Sequence, residues 1–167
     1  VAADSELKDR VRLDLYGTMD EVSRKQIAAF KYPGMITDFG KVPRQEALRA
    51  MQKSDILLLI QQRDALSFYT IPSKIYEYFQ VNRPILGLVF RNPGLVELLK
   101  KYGHFTAEAD SSEETTLSVL EIIRNWRTSG LESKLDPSVP FTIAAAVQKL
   151  VDVSQELTSP KPAAPRT

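Results

Sequence analysis

Apolar positions along the chain switch between two periods, and the switches mark its elements. Val11-Arg12-Leu13-Asp14-Leu15-Tyr16 alternates apolar with polar and stops at Gly17, which predicts a strand running into a turn. Asp20 is placed to cap a short helix through Ile27, Ala28, Ala29 and Phe30. A second strand, Met35 to Phe39, stops at Gly40. Val42-Pro43 then leads into a helix with Ala47, Leu48 and Met51 on one face. Ser54-Asp55 ends that helix before Ile56-Leu57-Leu58-Leu59-Ile60, a run without alternation, as expected for a parallel strand buried on both faces.

A loop from Gln61 to Ile71 follows, then a helix opened by Pro72-Ser73-Lys74 and closed at Asn82-Arg83-Pro84. Asn tolerates the left-handed conformation that ends a helix, and Pro blocks its continuation. Pro84 to Val89 reads as the next strand, Asn92-Pro93 opens a helix through Leu95, Leu98 and Leu99, and Phe105-Thr106-Ala107 is a further short strand. Ser111 and Glu114 have the spacing of a capping box for a helix running to about Arg127, with Trp126 on its apolar side and so in the core. A last helix carries Ile143, Val147, Leu150, Val151 and Ser154. Strands alternating with helices in this way predict an α/β fold: a doubly wound, mainly parallel Rossmann-like sheet with helices on both faces.

Such sheets bind ligands beyond the carboxyl ends of their strands. Those ends are Gly17-Thr18, Gly40-Lys41-Val42, Gln61 to Ser73, and Val89-Phe90-Arg91. The Pro-Ser-Lys helix start falls on that edge. The first amides of a helix lack intrahelical partners and the macrodipole is positive there, so Lys74 sits where a cation is unfavourable unless an anion such as phosphate arrives from outside. Lys74 and Glu77 share a helix face, which leaves two readings open. In one, Ser73 and Lys74 hold phosphate while Glu77 accepts hydrogen bonds from ribose hydroxyls. In the other they form a surface ion pair worth a few tenths of a kcal/mol, on the order of the usual exposed pair.

Composition removes several alternatives. At 167 residues the chain is one domain of ordinary size, and 43% hydrophobic content excludes disorder throughout. The formal net charge is +1, with Lys and Arg dispersed, so no nucleic-acid surface is indicated. The absence of cysteine rules out disulfides, thiolate metal sites and a cysteine nucleophile. No apolar run approaches the roughly 20 residues of a membrane helix, and the chain reads as soluble and cytoplasmic. It starts without Met and ends in a Pro- and Ala-containing tail, residues 158–167, expected to be disordered, so a fragment of a longer protein is expected. Asp4, Glu6, Lys8 and Asp9 read as a solvated helix face. His104, the one histidine, reads as structural; no Ser/His/Asp set assembles and no carboxylate cluster suggests a metal.

The order Gly40-Lys41-Val42-Pro43, then Ala50 to Leu59, then Pro72-Ser73-Lys74-Ile75-Tyr76-Glu77-Tyr78, then Arg83-Pro84-Ile85-Leu86 resembles the C-terminal, nucleotide-sugar-binding domain of GT-B glycosyltransferases of the group 1 (family 4) type. The similarity runs from about Val11 to Leu157, and its order and spacing are more specific than any one piece. It implies a donor-binding domain over residues 1–157, half of a GT-B architecture, in a hexosyltransferase that uses a nucleoside-diphosphate sugar with no cofactor and no metal. Glu77 would bind the ribose, Ser73 and Lys74 the diphosphate, and Gly40, Lys41 and Val42 would pass beside the base. Tyr69 and Thr70 would lie at the donor sugar; Tyr69 stands where the family often carries another glutamate.

The strand and loop with which that family domain begins, bearing an Arg and a Lys on the diphosphate, have no counterpart here. Nor does the acceptor half, which would belong to an upstream N-terminal domain of the same protein. The resemblance thus implies that the isolated chain is inactive and its catalytic residues are unassigned. Acceptors would be glycans or lipid-linked molecules in polysaccharide biosynthesis. The alternatives are a non-catalytic GT-B-like interaction module, which Tyr69 would allow, and a nucleotide-sugar epimerase, disfavoured because its carboxylates and histidines are not found.

Overall fold

The computed structural model describes residues 10–128, 130, 131, 141 and 143–158. Of the tail expected over residues 158–167, Thr158 instead ends the last helix, and the rest of it, like the solvated helix face expected among residues 4–9, lies outside the described residues. The chain divides into two compact units, one up to Lys53 and one from Ser54.

In the first unit β1 (Leu13–Leu15) pairs in parallel with β2 (Ile36–Asp38), Leu13 opposite Ile36. Between them runs α1 (Glu21–Ala28), whose first turn is closed by the expected cap: Asp20 Oδ1 accepts the Ser23 N–H at 2.8 Å, which holds the Asp20 carboxyl below its ordinary range. Stacked rings of Tyr16 and Phe39, 4.7 Å apart, close the carboxyl end of the pair. α2 (Arg44–Lys53) follows, with Ala47, Leu48 and Met51 half-buried as their spacing predicts.

The second unit carries β3 (Leu57–Ile60), β4 (Ile85–Val89) and β5 (Phe105–Glu108) in the order β3-β4-β5, all parallel. The crossovers are α3 (Lys74–Val81) and α4 (Pro93–Lys101); α5 (Ser112–Thr128) and α6 (Ile143–Thr158) complete the unit. Period-two alternation along the strands sorts the side chains onto two faces. Leu57, Leu59, Ile85, Gly87 and Val89 share one face, which α4 covers with Leu95 and Leu99. Leu58, Leu86, Leu88 and Phe105 share the other, where Leu86 packs with Ile122 of α5 and Leu131. Phe79 of α3 meets Tyr102 at the end of α4, with ring centroids 5.5 Å apart. Helices therefore lie on both faces of a parallel sheet, the predicted arrangement.

Asn82 ends α3 in the left-handed conformation at φ 54°, and Asn92 caps α4 through the Leu95 N–H, 2.9 Å. Three details differ from the sequence expectation. Only the middle strand, β4, is buried on both faces; β3 is an edge strand of its sheet, and Ile60 is 62% exposed because α5 packs across β5, two strands away. The capping box at α5 is half formed. Ser111 Oγ accepts the Glu114 N–H at 3.1 Å, but the Ser111 N–H is already bonded to the Glu108 carbonyl, so the Glu114 carboxylate takes the Glu108 N–H instead and ties the helix start to β5. Trp126 is 44% exposed, because it falls in the last turn of α5, beyond Ile122, which is the buried contact of that helix. No helix among the described residues is long and apolar enough to cross a membrane.

Gly87 is closely packed by its neighbours. A Cβ there would collide with Leu99 Cδ1 and stand 3.3 Å from Val89 Cγ2, and Leu99 is fully buried with no room to swing away. Gly87→Ala is expected to destabilise the protein by about 1–3 kcal/mol through overpacking, read from the urea midpoint; a change below about 0.5 kcal/mol would show that α4 is free to move off the sheet.

Candidate functional site

Parallel strands deliver their carboxyl ends to one edge, and in the second unit β3 and β4 bring Gln61 and Phe90-Arg91-Asn92 there. The loop from Gln61 leads directly into α3. Its entry is unusual for a helix start. Ser73 is already in the right-handed helical region (φ −60°, ψ −27°), so its hydroxyl makes no cap. The N–H groups of Ile75 and Tyr76 turn back to the carbonyls of Pro72 (3.1 Å) and Ser73 (3.2 Å). Among the described residues that leaves the N–H groups of Ser73 and Lys74 without an acceptor, with the exposed Ser73 and Lys74 side chains beside them. Lys74 forms no ion pair among the described residues, so the surface Lys74–Glu77 pair is not made. Glu77 lies one turn on, half-buried. Tyr78, beside it, donates to the Leu58 carbonyl at 3.3 Å; burial first, and the Glu77 charge second, push its phenol up.

Tyr69 and Thr70 stand in the loop just before α3. Tyr69 is 82% exposed, and the Thr70 hydroxyl donates to the Leu66 carbonyl at 2.9 Å. Gly40, Lys41 and Val42 belong to the first unit, at the carboxyl end of β2. Gly40 adopts φ 65°, its N–H donates to Asp38 Oδ1 at 2.8 Å, and its carbonyl accepts the Gly17 N–H at 2.7 Å. The space where a Gly40 side chain would stand is open, so this glycine serves its turn; Lys41 is exposed and Val42 half-buried.

Four residues of the edge make bonds or take a conformation that the sequence patterns did not assign to them. Gln61, Ser67 and Asn92 are buried polar groups, bonded together around the loop. Gln61 Nε2 donates to the carbonyls of Ser67 (2.6 Å) and Thr70 (3.0 Å), and Asn92 Nδ2 donates to the same two carbonyls at 2.7 and 2.9 Å. Gln61 Oε1 in turn accepts the Phe90 N–H at 3.1 Å. Ser67 bonds to Asp64 and donates its hydroxyl to the Gln62 carbonyl. Arg91, the fourth, sits at φ 48°, a conformation costly for a residue with a side chain, held by its N–H bond to Glu108 at 3.0 Å. A polar residue directly after an apolar strand is the one signal that could have singled out Gln61; the partners it chooses depend on the fold.

His104 lies elsewhere. It precedes β5, so it stands at the amino edge of the sheet, opposite the strand ends just described. Its ring is buried beside Phe79, 5.2 Å between centroids, with neither nitrogen bonded among the described residues. Desolvation lowers its pKa from 6.5 to about 4. The folded state therefore favours the neutral ring, and the stability this supplies is present above pH 6.5 and is lost as pH falls toward 4. Urea midpoints measured between those pH values should fall more steeply for the wild type than for His104→Phe; parallel profiles would show that His104 is not desolvated in the folded state.

Among the described residues no three His, Asp or Glu side chains are grouped to hold a metal ion. No protein-family model and no curated protein matches the chain. Among solved structures it is similar to AviGT4, a glycosyltransferase involved in Avilamycin A biosynthesis, with a TM-score of 0.51 and 16% identity over 86% of this chain and 42% of that one. The chain thus spans less than half the length of that enzyme, and its α/β fold is glycosyltransferase-like.

Proposed function

We propose that residues 1–157 form the donor-binding domain, or most of it, of a cytoplasmic GT-B glycosyltransferase of the group 1 type. The observation that carries this reading is the entry of α3: two N–H groups with no partner among the described residues, a hydroxyl and an ammonium lie together at the carboxyl edge of a parallel sheet whose fold is glycosyltransferase-like. Those groups suit a diphosphate. Glu77, one turn along, suits ribose hydroxyls, and Tyr69 and Thr70, in the loop just before the helix start, are proposed at the donor sugar. Gly40, Lys41 and Val42 are proposed beside the base.

The chemistry is transfer of a hexose-type sugar from a nucleoside-diphosphate donor to a glycan or lipid-linked acceptor. The protein groups proposed here need no metal, since the ammonium and helix start carry the charge opposing the diphosphate. The acceptor and the catalytic groups belong to a partner domain, proposed upstream in the same protein, so this chain alone binds a donor without turning it over. A non-catalytic GT-B-like interaction module is the second reading. It is favoured by the apolar surface of the loop, where Leu66, Phe68, Tyr69 and Ile71 are all exposed.

Scanning calorimetry with UDP-, GDP- and ADP-sugars separates the two. A donor domain at a hundredfold excess over Kd gains about 2.7 kcal/mol by mass action, and one base should stand out; no shift with any of them favours the interaction module. Glu77→Ala should then weaken the preferred nucleotide about tenfold or more, through loss of hydrogen bonds to a charged group, while stability changes by less than about 1 kcal/mol. Large destabilisation with unchanged affinity would make Glu77 a structural carboxylate.

A further inference from the structure

The side chains of Gln61 and Asn92 each work at both ends. Their oxygens serve the scaffold: Gln61 Oε1 accepts the Phe90 N–H just past β4, and Asn92 Oδ1 caps α4 at Leu95. Their nitrogens serve the loop, and both donate to the same two carbonyls, those of Ser67 and Thr70. The two residues between these carbonyls are directed outward. Phe68 is 47% exposed and Tyr69 82%, their rings in edge contact at 4.7 Å. A loop shaped only for stability would bury the aromatic rings and leave its carbonyls to water, because burying an amide repays its desolvation only when every bond is made. Here the opposite holds. Four hydrogen bonds from two buried amides fix the backbone, and the aromatic surface is offered to solvent at the entry to α3.

We propose that Gln61 and Asn92 are positioning residues of the donor site: acting through the Ser67 and Thr70 carbonyls, they hold the loop in the form that presents Tyr69 to the hexose ring of a nucleotide sugar. The ligand half of this inference rests on the donor-binding reading; the loop half does not. A sugar's C–H face packs against an aromatic ring, so the loop supplies affinity for the sugar-bearing nucleotide over the bare nucleoside diphosphate. Gln61 and Asn92 need not touch the ligand.

The two-ended bonding gives variants that separate the roles. Asn92→Asp and Asn92→Ser keep an oxygen to cap α4 but cannot donate to both loop carbonyls, and Asn92→Ser introduces no charge. Gln61→Glu likewise keeps the acceptor for Phe90. Amide hydrogen exchange on the full chain should rise about tenfold or more over residues 66–71 in each variant, with β4 and α4 unchanged. Unchanged loop exchange, or an equal rise in β4 and α4, overturns the positioning role. Titration with the preferred nucleoside diphosphate and its hexose conjugate reads the ligand half. Asn92→Ser should lose most of the preference for the conjugate at constant affinity for the bare diphosphate, and Tyr69→Ala should do the same without altering loop exchange. If both proteins keep the wild-type preference, the proposal falls while the donor reading stands. If the wild type binds neither ligand, the donor reading falls and the ligand half with it, a result distinct from failure of the exchange experiment.

Discussion

A strand buried on both faces has no water to satisfy its backbone, so each of its N–H and C=O groups must go to a neighbouring strand. β4 meets that requirement with β3 on one side and β5 on the other, and the remainder of the second unit follows from it. Parallel pairing on both sides forces two crossover helices. Those helices need a close approach, which Gly87 permits by leaving room for Leu99. Parallel pairing also sends the strand ends to one edge, where the loop after β3 and the turn after β4 come together. The candidate site is a consequence of that geometry before any of its side chains is considered.

At the edge the same accounting continues with side chains in place of strands. The carbonyls of Ser67 and Thr70 cannot join the β-ladder, and Gln61 and Asn92 satisfy them from two different elements. The loop before α3 is thereby joined to the start of α4, and Ser73 and Lys74 at the entry of α3 are exposed, their N–H groups without an acceptor among the described residues. Rigid support beneath an exposed, polar helix start is what a ligand site requires.

Much of this was legible in the sequence where local chemistry decides. Asp20, Asn82 and Asn92 are capping residues whose side chains or permitted backbone conformations require little from the rest of the fold, and each took its expected position. The run Ile56 to Ile60 announced a parallel strand, but its composition could not say that the strand lies at the edge of its sheet, which is why Ile60 emerges into solvent. Trp126 sat on the right side of its helix for the core and one turn too far along it. The capping box at Ser111 lost its return bond to a competing amide, that of Glu108, supplied by tertiary structure. The amide pair at Gln61 and Asn92, 31 positions apart in the chain, was invisible because no periodicity links a strand end to a helix cap in the next crossover.

The groups at the entry of α3 fix where a nucleotide sugar should bind. Amide proton–nitrogen correlation spectra of the full chain, titrated with a nucleoside-diphosphate hexose, test this directly. Saturable shifts concentrated on Tyr69, Thr70, Ser73, Lys74 and Glu77 are expected. Shifts confined to the opposite edge around His104, or none at saturating ligand, would contradict it.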